Sequence, residues 1–272
     1  MIERALKTVG STETFPVDRI GNVTASTPER RGSYGFDAPP IMVLLGVLAL
    51  GFLIGAVVDV LVGELASAAV LVLIGLAMAA QFSLFLHATR RGKFRAWDGL
   101  LDDLRLRGDE RLLDLGCGRG AVLLAAAKRL PEGKAVGIDL WRSVDQSGNN
   151  SATTAQNAVA EQVADRIELH TGDITSLPFR TGEFDVVVSS LVIHNIKSSA
   201  GRAAAVREAL RVLRPGGHLV LVDIGRTGEY ETTLVANGAQ ALRARTLGWQ
   251  VWWGGPWMPT RTLSATAPPA AA

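Results

Sequence analysis

One cysteine, Cys117, occurs among the 272 residues, so no disulfide can form within the chain, and a reducing compartment agrees with that. With four histidines and a single cysteine, no metal site is expected. Charge is scarce as well. Charged residues make up 20% of the chain, and the formal net charge is only +2. That balance gives no broad basic surface for a nucleic-acid partner. The local exception is the run from Arg90 to Arg107, which holds six Lys and Arg. No apolar core follows the N-terminus closely enough for a signal peptide. Internal repeats are also absent.

Residues 1–38 are polar, rich in Ser, Thr, Gly and Pro, and show neither helical nor strand periodicity, which predicts a disordered tail. The composition then changes sharply. Ile41–Val58 is 18 residues without a charge, and Leu65–Leu86 is a further 22. Runs of this length span roughly 27 to 33 Å as helices, about the thickness of a bilayer's hydrocarbon core. Residues 39–87 therefore read as two transmembrane helices, about 41–60 and 65–86, made antiparallel by a short link. Gly46, Gly51, Gly55, Ala68, Ala69, Gly75, Ala79 and Ala80 would let them pack closely. A buried hairpin of a soluble domain is the competing reading, but neither run has a polar face. Arg30 and Arg31 precede the first run, Arg90, Arg91, Lys93 and Arg95 follow the second, and the link carries only Asp59 and Glu64. The positive-inside rule then places both termini in the cytoplasm.

Residues 88–107 read as a linker running into an amphipathic helix with Trp97, Leu100, Leu101 and Leu104 on one side. From residue 108 to 272 strands alternate with helices. Strands are predicted at Arg111–Leu115, Ala135–Leu140, Ile167–His170, Phe184–Ser189 and His218–Ile224, and helices at Ala121–Leu130, Ala152–Val163 and Arg202–Leu213. Leu213-Arg-Pro-Gly-Gly reads as a helix stop and tight turn. A further helix at Glu229–Ala236 precedes two late strands, Ala239–Thr246 and Thr262–Ala267, antiparallel to each other. The APPAAA end is expected to fray. The class is α/β, with a doubly wound sheet parallel in its core. Ligands on such sheets sit at the carboxyl ends of the strands.

The first of those ends is RLLDLGCGRG, Arg111–Gly120. An apolar strand breaks at glycines on alternate positions and enters a helix, so backbone approaches a ligand closely and free N–H groups face it. With VGIDLW, GDITSLPF, FDVVVSSLVIHNI and LRVLRPGGHLVLVDI following in order, the region from about Gly108 to Ala267 resembles the class I S-adenosylmethionine-dependent methyltransferases, in particular the small-molecule type that includes quinone-ring methyltransferases. The resemblance implies a Rossmann-like seven-stranded sheet with an antiparallel last strand, and S-adenosylmethionine as cofactor. Gly116, Cys117, Gly118 and Gly120 would form its loop, with Asp114 pairing the cofactor's ammonium and Asp139 taking both ribose hydroxyls. Leu140 and Trp141 would line the adenine face. Asp173 would accept from the adenine amino group, Ile174 would contact the base, and Ser189, Ser190 and Leu191 would border the sulfonium. A nicotinamide enzyme is the competitor, but the loop reads GxGxG rather than GxGxxG, and Asp114 has no task in dinucleotide binding.

His194 is the candidate general base, with packing or turn capping as the alternative. Asn195 is a candidate substrate contact or a cap. The polar loop after the second strand offers Asp145, Gln146, Asn149 and Asn150 to a ligand, or is simply solvated. Trp249, Trp252, Trp253 and Trp257 crowd one late loop. They wall a substrate pocket, close the sheet edge or rest on a membrane interface. Trp253 and Trp257, joined by Tyr230, are the substrate-wall candidates. These residues predict a methyltransferase at the cytoplasmic face of a membrane, acting on a small hydrophobic acceptor, quinone- or lipid-like. The alternative is a non-catalytic cofactor-binding or membrane scaffold protein. A transporter is disfavoured, because two uncharged helices make a poor pathway.

Overall fold

The computed structural model describes residues 30–270. The expected disorder of residues 1–29 and fraying of residues 271 and 272 lie outside the described residues. Two apolar helices, α1 (Pro39–Val62) and α2 (Leu65–His87), pack antiparallel. Ala49, Ala56, Ala68 and Gly75 are buried between them, and a Cβ on Gly75 would meet the Leu53 side chain at 2.8 Å. Gly51, by contrast, faces open space. Most large apolar side chains of the pair are exposed, among them Val43, Val47, Leu61, Leu65 and Leu73. The helices are long and apolar enough to cross a membrane.

No linker follows. The second helix runs on without a break to Asp103 through one wide π turn, Ala88–Gly92, into α3 (Lys93–Asp103). The reason is packing. Trp97, Leu100 and Leu101 bury against one face of the sheet, so continuing the helix delivers α3 to the domain core.

That sheet has the order β3-β2-β1-β4-β5-β7-β6. Strands β1 (Arg111–Leu115), β2 (Lys134–Asp139), β3 (Ile167–Thr171), β4 (Phe184–Ser190) and β5 (Leu213–Asp223) are parallel, and β7 (Arg261–Thr266) inserts antiparallel between β5 and β6 (Gln240–Thr246). The alternation of side chains along each strand divides the core in two. Leu113, Leu115, Val136, Ile138, Val187, Leu219 and Leu221 face α6 (Ser199–Val212) and α7 (Thr227–Ala236). Leu112, Val186, Val188 and Val220 face α3, α4 (Ala121–Ala127) and α5 (Ser151–Ala160). Leu213 already pairs with Phe184 and His218 with Val186, so Arg-Pro-Gly-Gly is a bulge inside β5 rather than a turn before it. At the far end, Ala267 donates to the Gly217 carbonyl at 2.8 Å.

The disordered-tail expectation fails over residues 30–38, which form an extended strap across the domain. Arg31 and Gly32 N–H donate to Glu161 Oε1 at 2.9 and 2.8 Å, and the Tyr34 hydroxyl joins them at 2.8 Å. Ser33 N–H donates to Asn157 Oδ1, Phe36 N–H to Ser147 Oγ and Ala38 N–H to the Asp145 carbonyl. The strap was illegible locally because its partners lie more than fifty residues away. Burial pushes the Glu161 carboxyl upward, but Lys128 at 2.5 Å, the Gly32 N–H and the Tyr34 hydroxyl outweigh it and hold the group below the ordinary carboxylate range. Its contribution to stability is therefore present above about pH 4.3, the unfolded value, and is lost as pH falls through the lower folded value. Glu161→Ala is expected to cost about 2 kcal/mol and to free the strap. Thermal melting in detergent and limited proteolysis check this, and a strap as protected as in the wild type would contradict it.

Candidate functional site

A cavity of about 380 Å³ opens at the carboxyl ends of β1, β2 and β4. Its floor is the glycine turn. Gly116, Gly118 and Gly120 all take positive φ, at 69°, 50° and 85°. A Cβ on Gly116 would lie 2.5 Å from Val192, and at Gly118 the positive φ alone strains any larger residue. Gly116, Cys117 and Gly118 line the cavity, whereas Gly120 stands behind it as the cap of α4. Cys117 is buried with its thiol pushed up by that burial, so it is no nucleophile here.

Asp114 is the unusual member. It is 1% exposed, lines the cavity, and neither carboxylate oxygen has a hydrogen-bond partner among the described residues. Burial raises its pKa well above the ordinary value. The Leu123 N–H, directed at it from the first turn of α4, offsets only part of that, and Asp139 adds to it. A desolvated carboxylate aimed into a cavity lacks a cationic donor. Asp139 ends β2 and accepts from Gly118 N–H at 2.8 Å, Trp141 N–H at 2.5 Å and Asn149 Nδ2 at 3.3 Å. It ties the glycine turn to the loop after β2 while facing the cavity. Asp173 accepts from Thr175 N–H through one oxygen and lines the cavity with Ile174 and Leu140. Ser190 lines it too and accepts from Trp97 Nε1 at 2.9 Å.

Several expected site residues lie elsewhere. Trp141, at φ 57°, turns its ring away from the cavity and donates to Thr171 Oγ1. Alternation along β4 turns Ser189 inward, where it is buried and donates to the Leu115 carbonyl at 3.3 Å. Tyr230 is buried under β5, Trp253 packs with Phe85 and Ala88 of the helix that leaves the apolar pair, and Trp257 is 79% exposed. None of these three lines the cavity. Asn195 does line it.

His194 stands beside the wall rather than in it. Its Nδ1 lies 2.5 Å from Asp223 Oδ1. Asp223 also accepts from the N–H groups of Ile224 at 2.8 Å and His194 at 3.1 Å, and from the Tyr230 hydroxyl at 3.1 Å. These contacts engage Asp223 on both oxygens and leave Nε2 as the His194 ring nitrogen not facing Asp223. Burial, then Asp223, raises the Tyr230 hydroxyl's pKa, which keeps it a donor.

The walls contain residues that no motif marked. Lys93 and Asp37 form a buried ion pair at 2.8 Å, Thr89 Oγ1 donates to Asp37 at 2.6 Å and Gln146 Nε2 at 3.1 Å. Phe94 and Trp97 of α3 add apolar surface. The loop residues Asp145, Gln146 and Asn149 line the cavity, while Asn150 caps α5.

Residues 113–221 match the methyltransferase domain family. Over these residues the chain is similar to S-adenosylmethionine-dependent methyltransferase domains. The ubiquinone/menaquinone biosynthesis C-methyltransferase UbiE of Dinoroseobacter shibae is 37% identical over 136 residues, covering 50% of this chain and 51% of its own. A demethylmenaquinone methyltransferase of Lactiplantibacillus plantarum is 32% identical over 134 residues, covering 48% and 53%. The chain thus spans about half the length of the curated relatives it matches. Geranyl diphosphate methyltransferase solved with SAM has the same fold at a TM-score of 0.52 and 16% identity, over 64% of this chain and 84% of that one. So does the [4+2]-cyclase SpnF, at 0.52 and 20%, over 64% and 82%. S-adenosylmethionine fits the methyltransferase domain's cavity, since its ammonium is the cation Asp114 lacks and its ribose hydroxyls suit the strand-end Asp139.

Asp114→Asn is expected to separate stability from binding. The folded carboxyl keeps its proton above the roughly pH 3.9 at which an unfolded chain loses it, so this group's contribution to stability falls as pH rises through that window. The amide removes the slope. Without ligand, the variant should melt higher near neutral pH by about 1 kcal/mol, while S-adenosylmethionine affinity drops at least about tenfold. Melting curves against pH, with and without the cofactor, test both.

Proposed function

We propose that this chain is an S-adenosylmethionine-dependent methyltransferase, held at the cytoplasmic face of a membrane by α1 and α2, that methylates a small apolar acceptor of quinone or lipid type. The observation that carries the reading is the unpaired, buried Asp114 carboxylate beside the glycine turn, within the residues that match the methyltransferase family. The printed quinone-pathway names of the two relatives support the acceptor class. The exposed apolar surface of the helix pair supports the anchor, and the arginines that flank it support the side. Tethering also raises the local concentration of an acceptor that resides in the bilayer.

When bound, S-adenosylmethionine supplies a methyl group on a positively charged sulfur, open to in-line displacement. The chain's own task is to orient the partners and exclude water. Asp114 would fix the amino-acid end, Asp139 the ribose, and Asp173 with Ile174 the adenine. Ser190, Leu191, Val192 and Asn195 form the wall nearest the carboxyl end of β4, where the acceptor would lie. Phe94, Trp97 and the strap residue Asp37 complete the walls that limit water. Where the acceptor loses a proton, His194 Nε2 would take it, with the ring held by Asp223 and Asp223 held by Tyr230.

Calorimetric titration of the purified chain with S-adenosylmethionine should show binding that Asp139→Ala weakens at least about tenfold. Membranes containing the chain, incubated with methyl-labelled cofactor, should yield label in the lipid extract. Binding without any labelled product would leave a non-catalytic cofactor-binding protein. With an acceptor in hand, His194→Gln should lower kcat by about 10²–10⁴-fold with little change in KM. An unchanged kcat would reduce His194 to a structural partner of Asp223.

A further inference from the structure

The loop Gly248–Met258 between β6 and β7 misses the cavity because it is built onto the apolar helix pair. Gln81 Nε2 donates to the Trp253 carbonyl at 2.7 Å. Trp249 stacks on His87 with ring centroids 5.0 Å apart and 28° between planes. Val251 and Trp253 bury against Phe85 and Ala88, with Met42 and Leu45 of α1 packed around them. Gly92 lies so close to the loop that a Cβ there would be 1.6 Å from the Gln250 carbonyl oxygen. These contacts run from Gln81 to Gly92, roughly 16 Å along the helix axis.

Their height matters. Gln81 lies inside the uncharged run that ends at Leu86, so the loop reaches roughly 7 Å back along the apolar part of the helix. Gly255 marks the highest contact, since a Cβ on it would be 2.8 Å from Gln81 Oε1 and 3.0 Å from the Trp257 ring. Trp257 therefore stands level with Gln81, 79% exposed, and Met258 beside it is 40% exposed. Trp249, 53% exposed, stands level with His87. On the next turns, Arg90, Arg91 and Arg95 are exposed and have no ion-pair partner among the described residues.

We propose that this loop is a third membrane contact, with Trp257, Trp249 and Met258 seated in the headgroup layer of the bilayer that α1 and α2 cross. The inference rests on the membrane-anchored reading above and deepens it. A large ring with one polar N–H is favoured where apolar and wet layers meet, and arginines one or two turns further out reach lipid phosphates. The bilayer is the one occupant that covers both the exposed helix faces and the tryptophans level with them. Docked in this way, the domain is held against the surface rather than swinging on its tether.

The test uses the full chain reconstituted in phosphatidylcholine vesicles brominated high on the acyl chains, with tryptophan emission as readout. Bromine should quench the wild type, and Trp257→Phe should remove about half of the quenched emission, because Trp257 and Trp249 are the two tryptophans of the loop that stand exposed. Equal quenching in wild type and Trp257→Phe would overturn the proposal. Carbonate washing of the vesicles distinguishes the two readings. Chain retained in the pellet with equal quenching leaves the anchor standing and removes only the loop contact, whereas chain released by carbonate removes both.

Discussion

An ionised carboxylate buried without a cationic partner costs several kcal/mol, and the chain buries Asp114 at the cavity wall, where that cost favours its protonated form. The rest of the domain is arranged around this cost. The strand order reverses direction at the β1–β4 pair, so a crevice lies beyond the carboxyl ends of these two strands, where Asp114 lies next to the end of β1. The glycine turn that follows adds no side chain over the carboxylate, since a Cβ on Gly116 would lie 2.5 Å from Val192. The group is therefore held neutral until a cation arrives. A cationic, amino-acid-bearing cofactor is the partner that turns the penalty into binding energy.

The segments flanking the apolar helices are part of the same arrangement. Residues 30–38 enter α1 from the cavity wall, and the helix that leaves α2 returns to that wall as α3. The Asp37–Lys93 pair joins the two, with Thr89 and Gln146 as further donors. Both ions are largely buried, so losing one partner would strand the other and loosen the wall. The apolar helix pair and the cavity wall thus share structure.

Much of this was legible in the residue order. The parallel strands alternate or run apolar because each is covered on both faces, and the glycine turn must follow the strand whose end it caps. Asp114, Gly116, Gly118, Asp139, Asp173 and Ser190 line the cavity, as they sit at strand ends whose position the period dictates. Ser189 was misplaced by one residue of alternation. Trp141 was misplaced because a left-handed backbone turns its ring outward, and Tyr230 because its hydroxyl is spent on Asp223. Asp37 carried no signal, and nothing in the sequence joined it to Lys93, read as part of the basic flank, or to Gln146, read as a member of the polar loop. Each is an ordinary polar residue until a chain segment more than fifty residues away is laid against it.

What the sequence determined by itself was local: two uncharged runs, the alternation of strand and helix, and a glycine turn behind an acid, each set by neighbours within a few residues. The tertiary structure alone decided which side chains share a wall. It carried the second apolar helix into the sheet, laid the strap over the cavity and moved the tryptophan loop from the substrate to the helix pair. The physical reason is that burial and hydrogen-bond satisfaction are settled between segments distant in the chain, where no local pattern records the partner.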